Sequence, residues 1–242
     1  MNDDLREADP KEGFTVSVNK PLNWTSFDVV AKLRGRLKFL LKVKKLKIGH
    51  GGTLDPLASG LIIVGIGPGT KTLDRWIGSD KEYSGKIKFG AVTASFDGET
   101  EEEDHADISD LDLEKIKTHA LTLTGEVMQF PPAFSAVKKG GVPLYKLARK
   151  GLKTEVEARK VHVKVFEILN YEPPEAEFKV VCSKGTYIRS LAHDLGKSLG
   201  IGGYLTALHR DAVGDIRSED AFIIADLVSA LASVKGSTER SD

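Results

Sequence analysis

The sequence predicts a fold of mixed α and β structure with several adjacent strands, and three stretches carry that prediction. Residues 14–18 alternate in the manner of a strand. Val30, Leu33, Leu37, Leu40 and Leu41 recur at helical spacing, and residues 61–66 form a continuous apolar run rich in β-branched side chains. At 242 residues, 40% hydrophobic and 29% charged, the chain has the composition of a globule with a sizeable core. No apolar run approaches the roughly 20 residues that span a bilayer. The N-terminus is acidic rather than basic and then apolar, so the expected location is the cytoplasm. The single cysteine, Cys182, allows neither an internal disulfide nor a cysteine-based zinc site, and its expected role is a small buried apolar residue.

Taken in order, residues 1–12 are a polar tail expected to be disordered. The first strand ends at Lys20-Pro21, and Thr25 with Asp28 forms a capping pair for the helix that follows. The apolar stripe of this helix leaves its basic residues on the outer face. Net charge is zero, yet Lys32, Arg34, Arg36, Lys38, Lys42, Lys44, Lys45 and Lys47 have no acid among them, whereas residues 97–114 are strongly acidic. Segregation by sign permits a basic face, although a charge run on its own is ordinarily a solvated surface.

Residues 49–60 crowd four glycines, His50 and Asp55 into one stretch. Glycine backbones allow close approach to a ligand, and Pro56 biases Asp55 toward extended geometry; the stretch reads either as a site or as a tight surface turn with a solvated carboxylate. Residues 65–72 approximate a phosphate-binding loop. Thr70 stands where the second glycine should precede Lys71, and Pro68 removes a backbone donor, so a strand-to-helix turn is expected.

Residues 82–92 alternate like a strand, residues 97–112 are too charged to pack and are expected to loop, and residues 113–123 form a short helix closed by Gly125. Residues 127–154 contain no acid but interleave Lys138, Lys139, Lys146, Arg149, Lys150 and Lys153 with Phe130, Phe134 and Tyr145, a pattern suited to an RNA-contacting flap. Residues 161–171 and 176–182 read as an antiparallel pair. Ile188, Leu191, Ala192, Leu195 and Leu199 define a helix with Arg189 near its start. Residues 200–203 break it, Tyr204 to Arg210 form a short segment, and Ser218 with Asp220 caps a last helix through Phe222, Ile223, Leu227 and Leu231. No linker rich in Pro, Gly and Ser divides the chain, so one domain is expected over residues 13–234, followed by a polar tail at 235–242.

Lys20-Pro21 with Thr25-Ser26, residues 49–60, Lys81-Glu82-Tyr83, residues 131–138, and residues 182–189 with Asp194-Leu195-Gly196 occur in one order. In these five motifs the chain resembles the TruB-type tRNA pseudouridine synthases over about residues 14–217, and ordered motifs are far more specific than a single match. The resemblance implies a pseudouridine synthase fold with a mixed, largely antiparallel central sheet flanked by helices and loops. It implies an isomerase that breaks the C1′–N1 bond of a uridine and rejoins the sugar to C5, with no metal or organic cofactor. The substrate implied is the T-loop uridine at position 55 of tRNA.

By the same resemblance Asp55 is the catalytic aspartate, acting at C6 of the base, at C1′ of the ribose, or by assisting a glycal-forming path. Arg189 is the cation that keeps it ionised. Tyr83 stacks on the target base and assists proton removal from C5, and Tyr187 and Leu208 line the uracil pocket. His50 stands beside the flipped-out base, and Lys20 and Arg210 complete the substrate-binding set. Two departures stand out. His209 replaces the first of two adjacent arginines, leaving Arg210 as the one fixed charge for that contact. Only about one helix and a polar tail follow Arg217, which implies a short form lacking the C-terminal RNA-binding PUA domain, with residues 32–47 and 127–154 supplying most of the tRNA grip. The implied partner is the tRNA T-stem-loop, with no membrane, no obligate protein partner and a monomeric state; the alternative is a tRNA-binding folding factor whose catalysis is incidental.

Overall fold

The computed structural model describes residues 12–152 and 156–233. Except for Glu12, the tails expected at 1–12 and 235–242 lie outside these residues. By its contacts the chain divides into two compact units, Met1–Lys81 with His209–Asp242, and Glu82–Leu208.

In the first unit, strand Phe14–Lys20 pairs antiparallel with Ala58–Ile66 and parallel with Phe222–Ile223. Ala58–Ile66 also pairs antiparallel with Ile48–His50. The continuous apolar run at 61–66 reflects burial of both faces of its strand. Ile62, Val64 and Ile66 pack with Val16, Val18, Val29, Val30, Leu33 and Leu37, while Leu61 and Ile63 pack with Leu73, Trp76 and Val213. Helix Ser26–Leu41 begins with the expected capping box: Thr25 Oγ1 accepts from the Asp28 amide at 3.0 Å, and the Asp28 carboxylate accepts from the Thr25 amide at 2.8 Å.

The strand-to-helix turn also forms, as the 3-10 helix Gly67–Thr72 leading into helix Leu73–Gly78. A Cβ on Gly69 would lie 2.2 Å from the Phe14 carbonyl oxygen, so the backbone of the first strand packs directly against the turn. The last helix is shorter than expected. Phe222 and Ile223 are strand residues, and the helix is Ile224–Ser233. The competing interaction is the parallel pairing of Phe222 and Ile223 with Val18 and Asn19.

In the second unit, strand Arg159–Glu172 lies between Glu175–Cys182 and Gly125–Gln129 and pairs antiparallel with both. Strand Lys81–Phe89 follows Glu175–Cys182 in the sheet order. Phe166 and Phe178 meet edge to face across the antiparallel pair, with centroids 6.0 Å apart, and Cys182 is buried as expected. Helix Leu113–Thr122 is capped by Asp112, whose carboxylate accepts from the Lys115 amide at 2.8 Å. The acidic stretch departs from the expected open loop. Glu102–Glu103 pairs with Val92–Thr93, and Asp97 is only 4% exposed. The mixed α/β fold with a large, mostly antiparallel sheet and flanking helices is the one expected.

Residues 127–154 start in strand Gly125–Gln129 and continue through the small hairpin Lys138–Lys139 with Val142–Pro143 into helix Leu144–Ala148. Lys138, Lys139, Lys146, Arg149, Lys150 and Phe130 are exposed, while Lys153 lies outside the described residues. Among the described residues, no helix is long and apolar enough to cross a membrane.

Candidate active site

The loop bearing Asp55 is held at its base from three directions within the first unit. Ser26 Oγ accepts from the Leu54 amide at 2.8 Å and donates to the Leu54 carbonyl at 3.1 Å, and both residues are buried. This two-way bond fixes the backbone immediately before Asp55. After it, the Asp55 carbonyl accepts from the Ala58 amide at 3.1 Å, and the Pro56 carbonyl from the Asn23 amide at 2.8 Å.

The third restraint is Arg210, which is 1% exposed. Its guanidinium donates to Leu61 O at 2.6 Å, Gly52 O at 3.2 Å and Thr53 O at 3.5 Å. Gly60 completes the fit: at φ +104° it occupies the left-handed region, and a Cβ there would lie 2.5 Å from the Arg210 carbonyl oxygen. The sequence offers Arg210 as a contact for RNA. Its described donors point into the carbonyls of the loop.

Lys20 is likewise fully buried, with Nζ donating to Trp24 O at 2.5 Å and Pro21 O at 3.0 Å. Burial lowers its pKa from 10.5 to about 8, against the attraction of Asp55 and with Arg210 adding to the lowering. Two cations, Lys20 and Arg210, and two carboxylates, Asp55 and the less influential Asp28, thus interact electrostatically here. The folded chain holds the Lys20 proton less tightly than the unfolded chain does, so stability rises between pH 8 and 10.5 as that proton leaves; below pH 8 the penalty is constant. Denaturant unfolding across this window is expected to show the rise, and Lys20→Met to flatten it.

His50 ends strand Ile48–His50, where burial chiefly, and Arg210 next, lower its pKa, while a hydrogen bond with the Gly52 backbone opposes them. The ring is therefore neutral at pH 7. His209 lies half-buried, its Nδ1 2.9 Å from Ser59 Oγ and its Nε2 3.2 Å from Ser218 Oγ. At the position where the resemblance leads one to expect an arginine, this chain thus has an imidazole within hydrogen-bond distance of the strand that leaves the loop.

In the second unit, Tyr83 is buried on strand Lys81–Phe89, and Leu208 is half-buried on strand Gly203–Val213. Tyr187 is the N-cap of helix Ile188–Ser198. The buried Gln129 amide clamps its backbone: Tyr187 N donates to Oε1 at 2.7 Å, and Nε2 donates to Tyr187 O at 3.0 Å. Ser190 Oγ donates to Phe130 O at 2.8 Å, so the start of the helix is tied to the start of the flap.

Arg189 is 4% exposed. Its guanidinium donates to Phe134 O at 2.9 Å and Ser95 O at 3.1 Å, and its Nη1 lies 3.4 Å from Asp97 Oδ2. Sequence reasoning missed Asp97, Ser26 and Gln129. Asp97 is hidden in a charge run, Ser26 stands in a family motif that assigns it no role, and Gln129 lies just before the motif at 131–138. In sum, the first unit gathers Lys20, His50, Asp55 and Arg210, and the second holds Tyr83, Tyr187, Arg189 and Leu208. Among the described residues no cluster of His, Cys, Asp and Glu could hold a metal ion.

Comparisons with known proteins agree on one relationship. Residues 38–188 match the TruB family pseudouridylate synthase (N terminal domain). The tRNA pseudouridine synthase B of Chlorobaculum tepidum is 46% identical over 228 residues, which cover 93% of this chain and 94% of that protein. The tRNA pseudouridine synthase B of Flavobacterium johnsoniae is 46% identical over 218 residues, 88% of this chain and 93% of that one. Among solved structures, an H/ACA RNP bound to a substrate RNA containing 2′-deoxyuridine matches with a TM-score of 0.63 at 27% identity, over 89% of this chain and 52% of that chain. An archaeal box H/ACA sRNP complex matches at 0.64 and 25%, over 93% and 56%. This chain spans about half the length of those two structural relatives.

Proposed function

This chain belongs to the TruB family of pseudouridylate synthases, and from that membership we propose that it isomerises the T-loop uridine at position 55 of tRNA to pseudouridine. The observation that carries the reading is the loop of Asp55, anchored through Ser26 and Arg210 beside the buried Lys20. Such anchoring preorganises a carboxylate before substrate arrives, which is where positioning lowers a barrier.

In this reading the uridine flips out of the T-loop before reaction, because neither C1′ nor C6 is accessible in the stack. His50 stands beside the emptied position, Tyr83 stacks on the base, and Tyr187 and Leu208 line the uracil pocket. Asp55 provides the carboxylate of the covalent or glycal-forming step. Arg189 is its counter-charge, and Lys20 and Arg210 hold the positive potential that draws the RNA backbone toward the loop. The bond from C1′ to N1 breaks, a bond from C1′ to C5 forms, the C5 proton leaves, and N1 takes up a proton. The catalytic domain is residues 13–234, acting as a monomer, with 127–154 as its RNA-contacting flap.

Release of tritium from 5-tritiated uridine tests the assignment of substrate. Wild-type protein is expected to release one label per tRNA and none from a tRNA with cytidine at position 55; release from the latter would place the modified uridine elsewhere. The basic run has its own test. Lys44 and Lys45 are exposed, and neutralising both is expected to lower the slope of log affinity against log salt by about two. An unchanged slope would return residues 32–47 to ordinary solvated surface.

A further inference from the structure

Phe96 has a φ of +63°, a left-handed backbone that a non-glycine residue adopts only where its surroundings enforce it. Here they do. Ser95 N donates to Thr100 Oγ1 at 3.1 Å, Phe96 N to Thr93 O at 3.2 Å, and Leu205 N to Phe96 O at 3.0 Å. The hydroxyls of Thr93 and Ser95 both donate to Asp97 O, at 2.8 and 3.1 Å. The turn so formed presents two acceptors to Arg189, the Ser95 carbonyl and the Asp97 carboxylate.

A second connection runs beside the first. The Phe96 ring stacks on His193 with centroids 3.8 Å apart and planes 12° apart. His193 follows Arg189 by one helical turn on helix Ile188–Ser198, so both side chains leave the same face of the helix. The Nδ1 of His193 is buried without a hydrogen-bond partner, which leaves stacking to locate the ring. Burial, and Lys197 after it, lower its pKa and keep it neutral.

We propose that Phe96 and His193 are positioning residues: their stack locks the 95–97 turn onto the helix and so sets the direction of the Arg189 guanidinium. The proposal rests on the catalytic reading of Arg189 given above. Without the stack the turn retains its acceptors but loses its fixed distance from the helix, and displacement of a catalytic group by about 1 Å costs on the order of 100-fold in rate.

Steady-state tritium release with denaturant unfolding tests this in Phe96→Gly, His193→Leu and His193→Phe. Glycine accepts φ +63° without strain, so Phe96→Gly removes the ring while easing the backbone. Phe96→Gly and His193→Leu are expected to lower kcat at least about tenfold with KM for tRNA unchanged, and His193→Phe, which restores a stacking ring, to keep kcat near wild type. Wild-type kcat in folded Phe96→Gly and His193→Leu would overturn the proposal. So would a loss that merely tracks the unfolded fraction, or equal impairment in His193→Phe and His193→Leu. Arg189→Met separates the premise from the proposal. If it is fully active, the reading of Arg189 fails; if it is inactive while folded Phe96→Gly is fully active, only the positioning role fails.

Discussion

Asp55→Ala is expected to lower tritium release from 5-tritiated uridine in tRNA by a thousandfold or more, the order lost when a reacting group is deleted. Binding of tRNA should persist. The loop around residue 55 is also fixed through backbone groups of its neighbours: the Ser26 clamp acts on the Leu54 backbone, and Arg210 acts on the carbonyls of Gly52, Thr53 and Leu61. The substitution thus removes a carboxylate while retaining the loop that carried it. Equilibrium binding to tRNA, measured beside single-turnover release, separates the two. If Asp55→Ala releases label at the wild-type rate, the loop is an RNA-binding turn and its aspartate is a surface charge. If it is inactive in release yet rescues a cellular defect caused by loss of the protein, the folding-factor alternative gains the stronger position.

Arg189→Met carries the second large effect, and it acts on both stability and rate. The Arg189 and Asp97 side chains are 5% and 6% exposed, so deletion of the guanidinium leaves Asp97 buried beside the vacated site. Breaking a buried pair from one side costs about 3–5 kcal/mol. The same change is expected to lower release at least about 100-fold, since a cation that keeps a carboxylate ionised acts throughout the reaction. Adding Asp97→Asn separates these consequences. The double variant should recover part of the lost stability, because the stranded charge is gone, and none of the lost rate. Recovery of rate in the double variant would show that Arg189 serves the fold alone.

Local signals in the sequence are those the structure reproduces. The Thr25 and Asp28 box, the apolar stripe of helix Ser26–Leu41 and the antiparallel pair at 161–182 each depend on residues close in sequence. So does the placement of Arg189 at a helix start. What escaped depended on distant partners. Asp97 reads as one acid among many, yet a guanidinium from residue 189 and an ordered turn bury it. Phe222 and Ile223 fit a helical stripe, but strand Phe14–Lys20 offers them parallel pairing, and the helix starts after them. Arg210 reads as a cation for RNA because the resemblance implies that role for it. Its inward course becomes visible only when the carbonyls of Gly52, Thr53 and Leu61 converge on it. Residue types at the candidate site were thus legible, whereas the groups that hold them in place were set by tertiary contacts.

The bond between Ser26 and Leu54 gives the N-terminal helix a mechanical part. Ser26 is the first residue of helix Ser26–Leu41, and its hydroxyl grips the residue next to Asp55. The same helix carries Lys32, which is exposed, and Arg36 and Lys38, which are half-buried, while Arg34 donates to Ile48 O at 3.0 Å. A polyanion drawn to those cations would load a rod whose first residue grips the loop. In the proposed reading, docking there would bear on the backbone next to the aspartate, with the Ser26 hydroxyl as one coupling beside the bond from Asn23 N to Pro56 O.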